Sequence, residues 1–217
     1  MSLETGLLPE REDAKNPHGR VSVHERFQAG LNYDAYEEAL KVYDATPLPP
    51  DASDNDRSHK AFATINLQRA SRISRSYVPG EEITALVTGS SGNQLWGVLS
   101  EVWCGDSVQV IPYLSRIASL RHGIAFRILL RDENPDIMDL YLTEGKRCIP
   151  KLIVWDGDGK QLFTWGARPA GAQAVVEEAL AAKLPKDQRL EKLHLWYGRD
   201  RGRSIERELA ALLRSGQ

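Results

Sequence analysis

An α/β fold with a central sheet of mixed strand direction, flanked by helical segments at both ends, is predicted for this 217-residue chain. Three observations predict it. Between residues 94 and 183, short apolar strand-like runs alternate with runs of helical period. Two of the strand-like runs are joined by the tight turn Asp156-Gly-Asp-Gly159, so at least one pair is antiparallel. Outside this stretch the apolar residues recur at helical spacing on both sides.

Taken in order, residues 1–30 are polar and interrupted by Gly6, Pro9, Pro17 and Gly19, and are expected to form a loose arm. Residues 31–80 are expected to form a helical extension. Tyr33, Tyr36, Leu40 and Tyr43 share one helix face, with Asp34, Glu37 and Glu38 opposite. After the proline-rich break at 47–50, Ser58 is placed to cap a second helix running to about Tyr77, with Phe62, Ile65 and Ile73 on its apolar side. Arg69, Arg72 and Arg75 give that helix a basic face, read first as a solvated surface and alternatively as a source of positive charge for a site.

Residues 81–185 form the expected core domain. Glu81 to Leu86 reads as a short helix and Gln94 to Trp103 as a buried strand. Val108 to Leu120 is helix-periodic, Ile124 to Leu130 a strand, and Pro135 to Glu144 a helix. Lys151 to Trp155 and Lys160 to Trp165 are hairpin strands, and Ala172 to Lys183 is a helix. Residues 186–217 form the C-terminal helical extension, with a break at Gly202 and an apolar face of Ile205, Leu209, Leu212 and Leu213.

The charge balance excludes several classes of function. The chain has 28 Lys and Arg against 30 Asp and Glu, a net charge of -2, and a mean hydropathy of -0.41. A dedicated nucleic-acid binder carries a basic excess, so nucleic acid is not an expected partner. No apolar run approaches the ~20 residues of a membrane-spanning helix, and no basic start precedes an apolar stretch. No membrane partner and a reducing, cytoplasmic setting are therefore expected. Two cysteines build neither a disulfide framework nor a four-cysteine zinc site. His18, His24, His59, His122 and His194 lack metal-ligand spacing with one another or with the cysteines, and no phosphate or dinucleotide loop is present. Neither a metal nor a cofactor is expected.

The stretch that carries chemistry is Val98-Leu-Ser-Glu-Val-Trp-Cys-Gly-Asp-Ser107. A strand ends, Gly105 turns the chain, and a helix begins with Cys104 at its N-terminus. Unpaired N–H groups and the positive end of the helix dipole favour an anion there, and for cysteine the anion is the reactive thiolate. Ser107 can donate a hydrogen bond to that thiolate, whereas Asp106 opposes it with negative charge.

Here the chain resembles thioredoxin. Beyond Trp103-Cys104-Gly105, Pro112 stands where the family places its helix-kinking proline, and Arg131-Asp-Glu-Asn-Pro135 resembles the segment after the family's third strand. Ile149-Pro150 looks like the cis-proline signature. Lys151 to Asp156, the Gly157–Gly159 turn and Thr164-Trp-Gly166 continue the pattern. The Trp-Cys-Gly-Asp-Ser run and the Gly166-Ala-Arg-Pro169 segment look most like a little-characterised bacterial group with helical extensions on both sides. The resemblance implies a three-layer sandwich over residues 81–185, with Cys104, Ser107 and Cys148 as candidate catalytic residues. Trp103, Gly105, Asp106, Ile149 and Pro150 would form the substrate-binding surface.

Two departures bear on the reaction. Ser107 occupies the position of the family's resolving cysteine and cannot form the intramolecular disulfide. Val98 occupies the position of the family's buried acid. Glu101 is read as a solvated surface residue, with substitute base as the alternative. Cys148, two residues before Pro150, is open to three readings: a resolving thiol for Cys104, a partner in an intermolecular disulfide, or an incidental thiol. The expected function is thiol–disulfide exchange through one cysteine, on a protein or low-molecular-weight thiol or disulfide. The alternatives are a redox-inactive binding module of the same fold and, on the Cys-Gly-x-Ser spacing, a monothiol glutaredoxin-like protein.

Overall fold

A computed structural model describes residues 22–215. The predicted arm over residues 1–21 lies outside the described residues. Residues 22–30, expected to belong to that arm, instead form helix α1 (Val23–Gln28), capped by Ser22 and Glu25 in a reciprocal box. Val23 and Phe27 lie one turn apart on the buried face of α1, and this apolar pair outweighs the polar composition around it.

Helix α2 (Tyr33–Ala45) starts at the Asn32 cap and buries Tyr36 and Leu40, as the spacing predicts. The single helix expected from Ser58 is in fact two. Ser53 and Asp56 cap α3 (Asp54–Lys60), and α4 (Ala63–Ser76) follows after Ala61 and Phe62. The Ser53–Asp56 box supplies an earlier and stronger start than Ser58. Ile65, placed on the apolar face from sequence, is 41% exposed. Helix α5 (Glu81–Gly89) leads into the sheet.

The four strands are β1 (Gln94–Ser100), β2 (Ile124–Leu130), β3 (Lys151–Asp156) and β4 (Gln161–Gly166), in the order β2-β1-β3-β4. β1 and β2 are parallel and are joined by the crossover helix α6 (Ser107–Ala118). β1–β3 and β3–β4 are antiparallel. Helix α7 (Pro135–Met138) is shorter than the 135–144 run predicted. The chain then turns through Glu144 and Gly145, both at positive φ, inside a Thr143–Lys146 bridge. Helices α8 (Ala170–Ala181), α9 (Lys186–Asp200) and α10 (Arg203–Ser215) complete the chain. Arg201 and Gly202 both take positive φ between α9 and α10. A side chain at Gly202 would also meet the Tyr113 ring at 2.4 Å, so glycine is required there by conformation and by space.

The strands divide the core into two apolar layers. On one side Val98, Leu152 and Val154 share an apolar cluster with residues of α6, α4 and α10. On the other, Leu95, Leu99 and Ile153 meet Phe27, Ile137, Met138, Ile149 and Cys104. Phe27 reaches the sheet because Gly97 has no side chain; a Cβ there would lie 2.5 Å from its ring. No described helix is long and apolar enough to cross a membrane.

Candidate functional site

β1 ends at Ser100, and the next six residues carry the chain into α6. Cys104 sits at this junction, as the sequence predicts, with the N–H groups of Asp106 and Ser107 directed at its sulfur. The Ile149–Pro150 peptide is cis, and the Cys104 thiol donates to the Ile149 carbonyl at 3.7 Å. Two segments separated by some 45 residues are thereby brought into contact at the sulfur.

The expectation of a thiolate-favouring site needs correcting. Cys104 is 8% exposed, and its pKa is pushed up to about 11. Burial is the main cause, followed by the Asp106 charge. The Ser107 hydroxyl and the two backbone N–H groups pull the other way, as expected, and are outweighed. Ser107 is fully buried, and among the described residues its hydroxyl has no hydrogen-bond partner while Cys104 is a thiol. The thiol spends its proton on Ile149, and a neutral sulfur is a weak acceptor. The Ser107 hydroxyl gains a strong acceptor only when Cys104 ionises.

The site is covered by side chains from distant parts of the chain. Arg168 donates to Asp106 Oδ2 through Nε at 2.9 Å and pairs with it through Nη2 at 2.7 Å, and Tyr197 donates to Oδ1 at 2.8 Å. Arg168 would also feel the charge of a Cys104 thiolate. His194 packs on Gly105, where a Cβ would lie 3.3 Å from the imidazole. Arg69 donates to His194 Nε2 at 3.2 Å and to Asn66 Oδ1 at 3.0 Å. Burial first, and Arg69 second, push His194 down to about 4, so the ring is neutral near pH 7. Trp103 stacks on His59, with ring centres 4.2 Å apart and planes within 1°, and Arg131 lies over the indole at 5.0 Å.

Of the predicted site residues, Cys104, Asp106, Ser107, Ile149 and Pro150 are buried, and Trp103, Gly105 and Cys148 are half-buried. Cys104 meets the Ile149 carbonyl directly, and both cysteines are unpaired. Glu101 is buried rather than solvated. Its carboxylate accepts from the Asp132 N–H at 2.7 Å, and burial above all raises it to about 6. Arg69, read as solvated or as a neighbour of Cys104, reaches Asn66 and His194 instead.

Sequence reasoning missed His59, Arg168, His194 and Tyr197. Only Arg168 carried a signal, as part of the Gly166–Pro169 segment. Among the described residues no cluster of three or more His, Cys, Asp or Glu side chains could hold a metal.

A family model described as thioredoxin matches residues 54–182, which includes α3, α4 and α5 as well as the sheet. No curated protein matches the chain. Among solved structures, a protein of unknown function from Pseudomonas aeruginosa is similar at 16% identity and a TM-score of 0.57, covering 91% of this chain and 100% of its own. An HIV epitope scaffold is similar at 17% identity and a TM-score of 0.57, covering 90% of this chain and 99% of its own. At these identities the likeness is one of fold.

Proposed function

Because the chain belongs to the thioredoxin family, we propose that it performs thiol–disulfide exchange through the single thiol of Cys104, from a resting state that is closed. One observation carries the reading. The Cys104 sulfur lies between the carbonyl that precedes cis-Pro150 and the unpartnered Ser107 hydroxyl. An orphaned buried hydroxyl costs about 1–3 kcal/mol. Beside a sulfur it has a use, as the donor that stabilises the thiolate.

In the proposed cycle, Cys104 loses its proton and attacks one sulfur of a substrate disulfide. The substrate's other sulfur leaves as a thiolate and takes up a proton, giving a Cys104–substrate mixed disulfide. Cys148 then attacks the Cys104 sulfur, which frees the substrate's second thiolate and leaves a Cys104–Cys148 disulfide. An external dithiol supplies the two electrons that restore both thiols. A small thiol can replace Cys148 in the second step. Cys148 is half-buried and immediately precedes Ile149, whose carbonyl touches Cys104. The cycle needs a reducing thiol pool, which accords with a cytoplasmic setting.

The second reading is a redox-silent binding module. It is favoured by the burial of Cys104, by its raised pKa and by serine at position 107. Insulin reduction by dithiothreitol separates the two. The exchange reading expects acceleration by the wild type, loss with Cys104→Ser and slowing with Cys148→Ser. A wild-type rate equal to that of Cys104→Ser leaves the binding module.

A further inference from the structure

Helix α3 buries none of its side chains. Most of what holds it lies within its own extension. Lys60 donates to the carbonyls of Tyr43 and Asp44 at the end of α2, and Arg57 donates to the Pro50 carbonyl at 2.9 Å. Two contacts reach further. Lys186, at the start of α9, donates to Ser58 at 3.0 Å, and His59 lies flat on Trp103. The ring thus covers the indole beside the thiol, from a helix that adds nothing to the core.

The charges around the stack are unequal in origin. Lys186, Arg131 and Asp132 belong to the body of the protein, whereas Asp56 belongs to α3. Asp132 is paired with Arg131 at 2.7 Å. If α3 lifts, Asp56 leaves with it, and the exposed indole is left beside Lys186 and Arg131.

We propose that α3 is an intramolecular stand-in for substrate, and that the Trp103 face it covers receives an aromatic side chain, flanked by acidic residues, from an extended segment of a disulfide-bearing protein. The proposal rests on the exchange reading for its chemistry and on the His59–Trp103 stack for its geometry. The incoming ring replaces the imidazole on the indole, and the acidic neighbours meet Lys186 and Arg131. The same displacement bares the Trp103 side of the site, while Arg168, His194 and Tyr197, on other elements, stay over the turn.

The test uses two acidic synthetic peptides, each carrying a cysteine as a mixed disulfide, with either tryptophan or alanine beside it. Exchange with the full chain is compared for wild type, His59→Ala and Ser58→Ala. Ser58→Ala frees α3 from α9 without touching the stack or the Lys186 charge. We expect the tryptophan peptide to react faster than the alanine peptide by roughly 2- to 10-fold, the worth of one aromatic stack. Both variants should raise the rate, and Trp103→Ala should abolish the preference.

Binding is read separately in Cys104→Ser, with serine replacing cysteine in both peptides and phenylalanine replacing tryptophan so that the peptide does not consume the reagent, through oxidation of Trp103 by N-bromosuccinimide and mass mapping. His59→Ala should increase Trp103 oxidation, and the phenylalanine peptide should suppress it. Unchanged oxidation in His59→Ala, or equal behaviour of the two peptides, overturns the proposal. Protection of Trp103 without exchange in any variant removes the exchange reading and keeps the docking face.

Discussion

Arg168 holds the carboxylate of Asp106 at 2.7 Å, two residues after Cys104. The guanidinium offsets that charge without cancelling its effect, since Asp106 still pushes the Cys104 thiol up. Asp106→Asn removes the charge and keeps an acceptor for Tyr197. The Cys104 pKa is expected to fall, read as a shift of its alkylation profile to lower pH. Stability is expected to drop by about 2 kcal/mol, less than full burial would cost because Arg168 reaches solvent. An unmoved profile would show that Asp106 has no electrostatic hold on the sulfur.

The two thiols should separate in a short alkylation pulse. At neutral pH, a pKa near 11 leaves Cys104 with a thiolate fraction two to three orders of magnitude below that of an ordinary cysteine near ~8.5. Its sulfur is also buried. Iodoacetamide at pH 7.5 is expected to modify Cys148 first, with Cys104 reacting only as urea opens the fold. Peptide mass mapping decides it, and early modification of Cys104 would contradict the closed state.

Stability is expected to decline in mild acid through His194. Its folded pKa, about 4, lies below the ordinary histidine value, so the folded state favours the neutral ring. The unfolded chain takes up a proton near pH 6.5 and the folded chain does not. This contribution is therefore complete above about pH 6.5 and lost as pH falls to about 4, a change of roughly 2–3 kcal/mol. His59 acts with the same sign, lowered by burial, Lys186 and Arg131 against Asp56 and Asp132. Urea midpoints at pH 7 and pH 4.5 measure the loss, and His194→Gln should reduce it.

Phe27 and Gly97 should prove coupled. Phe27 is fully buried and lies 5.1 Å from the Trp155 ring, so Phe27→Ala is expected to cost about 3–5 kcal/mol. Gly97→Ala places a methyl 2.5 Å from the Phe27 ring and 2.8 Å from Trp155, and is also destabilising. In the double variant the methyl enters the space the Phe27 ring vacates, and only the Trp155 contact remains. The combined loss is expected to fall short of the sum by 1 kcal/mol or more, about the size of coupling between touching side chains. Denaturant unfolding of the four proteins completes the cycle.

The sheet was legible in the sequence because its signals are local. The β2 boundaries follow from one apolar run, Ile124 to Leu130, and the hairpin from one turn. The position of Cys104 and the direction of each nearby influence were legible for the same reason. Ser107 and Asp106 act over two or three residues, with the signs their chemistry dictates. The outcome was not legible, because burial decided it. Arg168, His194 and Tyr197 lie more than 60 residues from the turn they cover, and no local pattern marks them. The α3–α4 break was missed at shorter range, where the Ser53–Asp56 cap competes with Ser58. The α1 helix was missed because its buried face rests mainly on Val23 and Phe27.

Leu31 exchanges two backbone hydrogen bonds with Ile128, and Arg26 pairs with Asp136 at 2.5 Å. The consequence concerns order in time. During synthesis α1 and α2 emerge first but have no β2 edge to rest on until about a hundred further residues have appeared. The Trp103–Ser107 turn is made before α9 exists, and His194 and Tyr197 close over it only after about ninety further residues have been added. A growing chain therefore carries an open turn first and a covered one later, so this part of the cover is assembled after the thiol it encloses.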